Sequence, residues 1–433
     1  MSSSESYSDV VRIARDLIRI DTSNWGGGRV NPESAAADYL EPLLRAAGFD
    51  IERYEAEPGR TNMIARWKGT EGGNDALLLH AHLDVVPADP EAWTHGPFDG
   101  DIADGMLWGR GAVDMKNFAA MIVSAVCRLA REGFRPRQDL VLAFFADEEA
   151  GTTLGSDWMV EHHAEVFEGV TAAVGEGGGY SVTIGDRRAY LMNTGEKGVR
   201  WVRLVAKGKS GHGSLPAEDN AALKLAQALA RVGDIEWPVV MTETTRSLLD
   251  SLAVLAGADA DAQPEELAEL AGASTPRILA GLRDVANITM INSGYKENVV
   301  PETASAMIDL RFIPGRETEA LAQIRDAVGP EIEVSTTLEL IAFESTNAGA
   351  IPAAIEAAVL AEDPSAKVLP HLIPGGTDAK PLRRLGIDTY GFIPLRLPQD
   401  FAFPRMFHGI DERVPLDALE FGERVIRSVI ASR

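Results

Sequence analysis

Three stretches of this chain carry side chains able to bind a metal or move a proton at the ends of apolar runs. The first, Leu77 to Pro87, reads LLLHAHLDVVP, and because alternate side chains of an extended chain share a side, His80, His82 and Asp84 point the same way. A strand can in this way present a metal-binding imidazole together with the carboxylate that orients it. The second, Asp139 to Ala146, reads DLVLAFFA and stops at Asp147, Glu148 and Glu149. Adjoining carboxylates repel one another unless a cation is present, and at the end of an apolar strand before a glycine-punctuated turn they point to a metal. The third, Val170 to Val174, leads to Glu176 and three glycines. Histidine beside carboxylates is the usual donor set for zinc. His82, His212 and His408 are the histidines in settings that ask for more than packing, and Asp114, Glu149 and Glu176 supply the carboxylates. These groups meet only if their strands share one sheet edge.

The elements that must position them alternate between strand and helix patterns. Val10, Ile13, Leu17 and Ile20 line one face of a first helix, and Thr22 to Asn31, with three consecutive glycines, reads as a flexible connection. A helix over Pro32 to Ala47 and strands near Ile51–Tyr54 and Asn62–Trp67 precede the Leu77–His82 strand. WGRGAVDMKN then leads into a helix marked by Phe118, Met121, Ile122, Ala125 and Leu129, so that Asp114, taken locally, reads as its N-cap. From Gly195 the character changes: a strand, the loop KSGHGSLP, the alanine-rich helix 220–232, a helical insertion, and further strands and a helix suggest an α+β sandwich. The α/β pattern resumes with a helix from Ala350, the turn PGGTDAK and FHGIDERVP. The expected architecture is an α/β catalytic domain over 1–196 and 345–433, with a mostly parallel central sheet flanked by helices. An α+β sandwich lid or dimerisation domain is inserted over 197–344.

Composition narrows the function. A formal charge of −24 repels nucleic acid and anionic membrane, and no apolar run reaches the roughly 20 residues of a membrane helix. The N-terminus lacks a basic region followed by an apolar core, so no signal peptide is expected. The single Cys127 sits in a helical pattern as a small apolar residue, and one cysteine excludes an intrachain disulfide, which fits a reducing, cytoplasmic setting.

HAHLDVVP, GRGAVDMKN, ADEEAGTTLGS, GHGSLP, NVVP, GGTDAK and HGIDERVP occur in this order over nearly the whole chain. In this the chain resembles the co-catalytic zinc hydrolases that include aminoacylases, acetylornithine deacetylase, succinyl-diaminopimelate desuccinylase and carboxypeptidase G. The resemblance implies two zinc ions per subunit, with Co²⁺ or Mn²⁺ as possible substitutes. It implies that Asp114 bridges them, that His82 and Glu176 complete one site, and that Glu149 and His408 complete the other. It further implies that Asp84 accepts the second ring N–H of His82 and that Glu148 is the general base. The implied role of His212 is to reach the cleft of a partner subunit and stabilise the oxyanion, in a homodimer joined through the inserted domain.

Arg311, at the end of an alternating strand, can hold a substrate carboxylate bidentately, Asn298 resembles a substrate-contacting position, and Gly375, Gly376 and Thr377 offer backbone donors to the same anion. A surface salt bridge for Arg311 and a tight turn for the glycines are the competing readings. His80 is expected to be support or core rather than a ligand, and His162 and His163 read as surface; His95 is open to lining the cleft entrance or to a solvated loop, and His371, before the glycine turn, to a substrate contact with no fixed role. The expected reaction is zinc-dependent hydrolysis of an amide bond in a small, carboxylate-bearing N-acyl-amino acid, since Glu176 resembles the deacylase branch. Dipeptidase or carboxypeptidase action on a short peptide is the alternative, and a non-catalytic metal-binding scaffold is a third reading of another class.

Overall fold

A computed structural model describes residues 7–72, 74–399 and 401–433. The chain divides into two compact units, one made of Met1–Thr194, Ser345–Pro370 and Thr377–Arg433, the other of Gly195–Glu344 and His371–Gly376.

The first unit is organised by three short runs of β-branched and large apolar residues: Ala76–His82, Leu140–Phe145 and Val170–Gly175. The Ala76–His82 strand lies between the other two and is parallel to both, with His82 opposite Phe145 and Leu79 opposite Val174. Asp388–Gly391 adds a further parallel strand beside Val170–Gly175, whereas Asp50–Glu55 and Thr61–Trp67 extend the other margin antiparallel. Parallel strands are buried on both faces, and the side chains sort accordingly. Leu77, Leu79, Leu140, Leu142 and Phe144 enter one apolar cluster with the helices Asp9–Ile18, Lys116–Arg131 and Leu416–Ala431. Leu78, Val141, Ala143 and Phe145 enter a second, with Met159 and Leu382 from the helices Ser156–His162 and Ala379–Arg384. Because the strands run the same way, His82, the Asp147–Glu149 turn and Glu176 all emerge at one edge of the sheet. This arrangement is a mixed sheet whose parallel centre is flanked by helices.

The buried Lys116 ties the first helix to this frame. Its ammonium donates to the carbonyls of Leu17 at 3.0 Å and Ile20 at 2.6 Å, at the C-terminal end of that helix. Burial lowers its pKa to about 7.

The second unit is a four-stranded antiparallel sheet in the order Val285–Ser293, Thr303–Phe312, Gly198–Lys207, Ile332–Leu340. Ala304, Ala306, Ile308, Leu310 and Phe312 alternate inward against the helices Ala221–Gly233 and Glu317–Val328, giving a two-layer sandwich. At the sheet edge the Val285–Ser293 strand leaves Met290 and Ile291 exposed. No helix among the described residues is long and apolar enough to cross a membrane.

Candidate metal centre

His82 ends its strand with a fully buried ring. Its Nε2 lies 3.1 Å from Asp114 Oδ1, 3.8 Å from Glu176 Oε2 and 3.9 Å from Glu148 Oε2. The other oxygen of Asp114, Oδ2, lies 3.3 Å from His408 Nε2, which is itself 3.1 Å from Glu149 Oε2. One carboxylate thus stands between two imidazoles from segments far apart in the chain. Atoms able to bind a metal on His82, Asp114 and Glu176, and on Asp114, Glu149 and His408, lie within 4.8 Å of one another in each group. His82, Glu148 and Glu149 form a third such group, so Glu148 is within reach of the same charge.

Local structure explains how three adjoining acids divide their labour. Asp147 adopts a left-handed backbone conformation (φ 64°), which aspartate tolerates better than most residues, and its side chain turns away from the site. Its Oδ1 accepts from Arg60 Nη2 at 2.9 Å and from Asn24 Nδ2 at 3.1 Å, and its Oδ2 accepts from the Leu154 N–H at 3.0 Å. Arg60 is held in turn by a bidentate pair with the buried Glu33. The repulsion read from the sequence is therefore relieved in part by Arg60, a protein cation, while Glu148 and Glu149 remain facing His82.

Asp84 couples both halves of the edge. Its carboxylate accepts the main-chain N–H groups of Glu148 and Glu149, each at 3.2 Å, and the Asn24 amide at 2.9 Å. His82 Nδ1 lies 2.9 Å from the Asp84 carbonyl oxygen and 3.5 Å from its carboxylate, so the main-chain oxygen is the closer acceptor. Asn24 is buried in the stretch expected to be a flexible connection; Thr22 and Asn24 bond Leu83 and Val85, which anchors that stretch beside the site.

Asp114 does not cap the following helix. Met115 occupies the N-cap position and no side chain caps there, because the Asp114 oxygens are directed to His82 and His408. The charges respond to one another. Burial, then the neighbouring Glu176, pushes the Glu148 carboxyl well above the usual range, and burial does the same for Glu176. Against burial, hydrogen bonds from His408 and His82 hold Asp114 below the carboxylate range. Hydrogen bonds to Asp114 and Glu149 raise His408 to about 10. Glu149 Oε1 and Glu176 Oε1 are buried and accept no hydrogen bond from the described residues. Oriented, desolvated oxygens without donors, among imidazoles that would otherwise carry protons, fit a bound cation.

The sequence profile of Peptidase family M20/M25/M40 matches residues 78–432. The chain belongs to this family. Aminoacylase-1 of Sus scrofa is 29% identical over 416 residues, covering 93% of this chain and 90% of the relative. Succinyl-diaminopimelate desuccinylase of Cereibacter sphaeroides (strain ATCC 17025 / ATH 2.4.3) is 30% identical over 428 residues, covering 95% of each. Among solved structures, the M20 family metallo-carboxypeptidase Sso-CP2 from Sulfolobus solfataricus shares the fold with a TM-score of 0.73 at 18% identity, over 98% of this chain and 99% of that one. As an M20 member, this protein is a metal-dependent hydrolase acting on amide bonds.

In this M20 chain the remaining site candidates lie in the second unit, apart from Thr377. His212 is exposed, its Nδ1 2.8 Å from Ser214 Oγ, and Gly211–His212 pairs with Val299–Val300, which brings His212 beside Asn298. The Asn298 carbonyl accepts the Gly213 N–H at 2.8 Å. Arg311 is engaged through Nε and Nη2 by Asp309 at 2.7 and 2.9 Å, the local ion pair that its position allowed. Gly375 and Gly376 belong to the second unit, while Thr377 belongs to the first and accepts the Ala379 N–H at 3.0 Å. His80 is buried with Nδ1 unpaired among the described residues, and its ring lies where a Cβ on Gly175 would stand.

Sequence reasoning missed Asn24, Glu33, Arg60, Asp378 and Glu412. Asp378 accepts from Ser156 Oγ at 2.5 Å, and burial raises its pKa to about 7. Glu412 lies within HGIDERVP, where only His408 had been singled out. Asp378 likewise lies within GGTDAK, beside the three residues read there as backbone donors, whereas Asn24, Glu33 and Arg60 stand in stretches whose local pattern carries no chemical signal.

Proposed function

We propose that this protein is a zinc-dependent hydrolase of N-acyl-amino acids, with two Zn²⁺ per subunit and Co²⁺ or Mn²⁺ as substitutes. The observation that carries the two-metal reading is Asp114, whose two oxygens face His82 and His408 separately. His82 and Glu176 would hold one ion, Glu149 and His408 the other, and Asp114 would be shared. The bound metals would supply an acidified water and stabilisation of the charge that develops on the amide oxygen. Glu148, whose Oε2 stands 3.9 Å from His82 Nε2 at the same site, is suited as a carboxylate to take a proton from that water and return it to the leaving nitrogen. Asp84 is a positioning residue, holding His82 and the Glu148 and Glu149 backbone.

The deacylase reading is favoured by two relatives near 30% identity whose names describe acyl-group removal, whereas the likeness to the carboxypeptidase is one of fold. For the substrate carboxylate the candidates are Arg311, Gly375, Gly376 and Thr377, with Asn298 as a further substrate contact. A homodimer through the inserted domain is supported by the exposed apolar edge strand Val285–Ser293, and an exposed His212 is free to act on a partner's cleft. Cytoplasmic residence is supported by the lone, partly buried Cys127. The test is metal analysis with kcat/KM for N-acyl amino acids and dipeptides on the zinc-reconstituted protein. Higher values for N-acyl amino acids are expected; a clear preference for dipeptides would overturn the deacylase reading.

A further inference from the structure

Glu412 stands four residues after His408, with its side chain fully buried. Its Oε1 accepts three main-chain N–H groups, those of Val113 at 2.6 Å and of Gly111 and Asp114 at 3.1 Å each. Its Oε2 pairs with Arg110 Nη1 at 2.6 Å, and its own carbonyl accepts the Gly109 N–H at 2.9 Å. The neighbouring strand Arg413–Pro415 pairs antiparallel with Met106–Trp108, so Glu412 sits where that ladder ends and the turn to Asp114 begins. Three N–H groups held by one buried carboxylate oxygen fix the path of the backbone they come from.

We propose that Glu412 is a positioning residue for the metal pair, setting the turn that carries Asp114 so that its two oxygens face His82 and His408 at once. The proposal rests on the two-metal reading above. Asp114 has to satisfy two imidazoles of different segments, at 3.1 and 3.3 Å, and a small rotation of its backbone moves both oxygens off target. Because Glu412 and His408 share one segment, the residue that orients the shared carboxylate travels with a ligand of the second ion. The two oxygens of Glu412 also divide their work. Oε2 holds Arg110, whose guanidinium lies over the Trp93 ring at 5.1 Å, and this half serves packing. Oε1 holds the Asp114 turn.

That division supplies the test. The double variants R110Q/E412Q and R110Q/E412L remove the same buried ion pair, but only the glutamine retains an acceptor for the three N–H groups. Zinc affinity is measured on folded protein by competition with a chromophoric chelator, beside thermal melts and kcat at saturating zinc. R110Q/E412Q is expected to bind zinc within about threefold of the parent, and R110Q/E412L about 10–100-fold more weakly, the usual loss when the support of a ligand is removed. Its kcat is expected to recover with excess zinc. Equal affinities in the two folded variants would overturn the assignment, whatever their melting temperatures. Should the leucine variant not fold, E412D keeps the charge but withdraws the carboxylate by one methylene. It is then expected to show the same loss, and parental affinity would overturn the assignment. If the parent takes up no zinc in this titration, the two-metal reading itself fails; a parent that loads two ions while the variants bind equally refutes Glu412 alone.

Discussion

The carboxylate of Asp84 accepts the main-chain N–H of Glu148 at 3.2 Å, although the two residues are 64 positions apart. The main-chain oxygen of the same residue holds the ring of His82, so the proposed base and a proposed metal ligand are set by one buried residue. The geometry separates what Glu148 does chemically from what holds it in place.

Replacing Glu148 by Gln removes the proton acceptor and leaves the Asp84 bond to its backbone intact. Turnover is expected to fall by about 10²–10⁴-fold, the range for loss of a positioned general base. Metal content should stay at the parental level. A variant that keeps most of its activity would reject the base assignment, and one that loses metal would make Glu148 a ligand.

Arg60 balances Glu33 and Asp147 in surroundings that leave its side chain 5% exposed. Arg60→Met leaves two carboxylates without their cation, and a loss of about 3–5 kcal/mol is expected from breaking a buried pair on one side. Chemical denaturation of parent and variant measures it. A change under about 1 kcal/mol would show that water or another group takes over the role of the guanidinium.

Metal uptake should release protons. Without a metal, hydrogen bonds to Asp114 and Glu149 raise His408 to about 10, hydrogen bonds to Asp114 and Asp84 raise His82 against its burial, and burial draws Glu148 and Glu176 toward their protonated forms. A metal must displace the protons on its ligands, so affinity should rise with pH and fall as the pH is lowered. Calorimetric titration with zinc in buffers of different ionisation enthalpy counts the protons released; an affinity independent of pH would contradict these shifts.

His212 is exposed, so His212→Ala should leave thermal stability and metal content unchanged while lowering kcat by about 10²–10³-fold, as for loss of an oxyanion donor. If the residue acts on a partner's site, mixing H212A with E148Q under conditions of subunit exchange creates one site with both groups. Activity well above either variant alone is expected. No recovery after demonstrated exchange would place His212 in its own subunit's chemistry or outside it.

Much of the metal centre was legible because it is written locally. Apolar runs with alternating or adjoining polar ends, such as LLLHAHLD and LAFFADEE, determine where strands stop and therefore which side chains stand at the sheet edge. Asp114 shows the limit of local reading: a helix began two residues later, and a capping role was the natural expectation until His82 and His408 claimed its oxygens. The glycine-rich stretch after the first helix misled for a similar reason, since composition cannot show that Asn24 is bonded to Asp84 and Asp147.

By itself the sequence determined the α/β pattern and the histidines and carboxylates that stand at strand ends and in the following loops, which follow from side-chain type and from periodicity acting over a few residues; that Asp114 would be shared came from the resemblance carried by the ordered motifs. Only the tertiary structure decided which buried groups hold that set in place. Arg60 meets Asp147 across 87 positions and Glu412 meets Asp114 across 298, and such contacts exist because desolvated charges and N–H groups must find partners wherever the fold brings them.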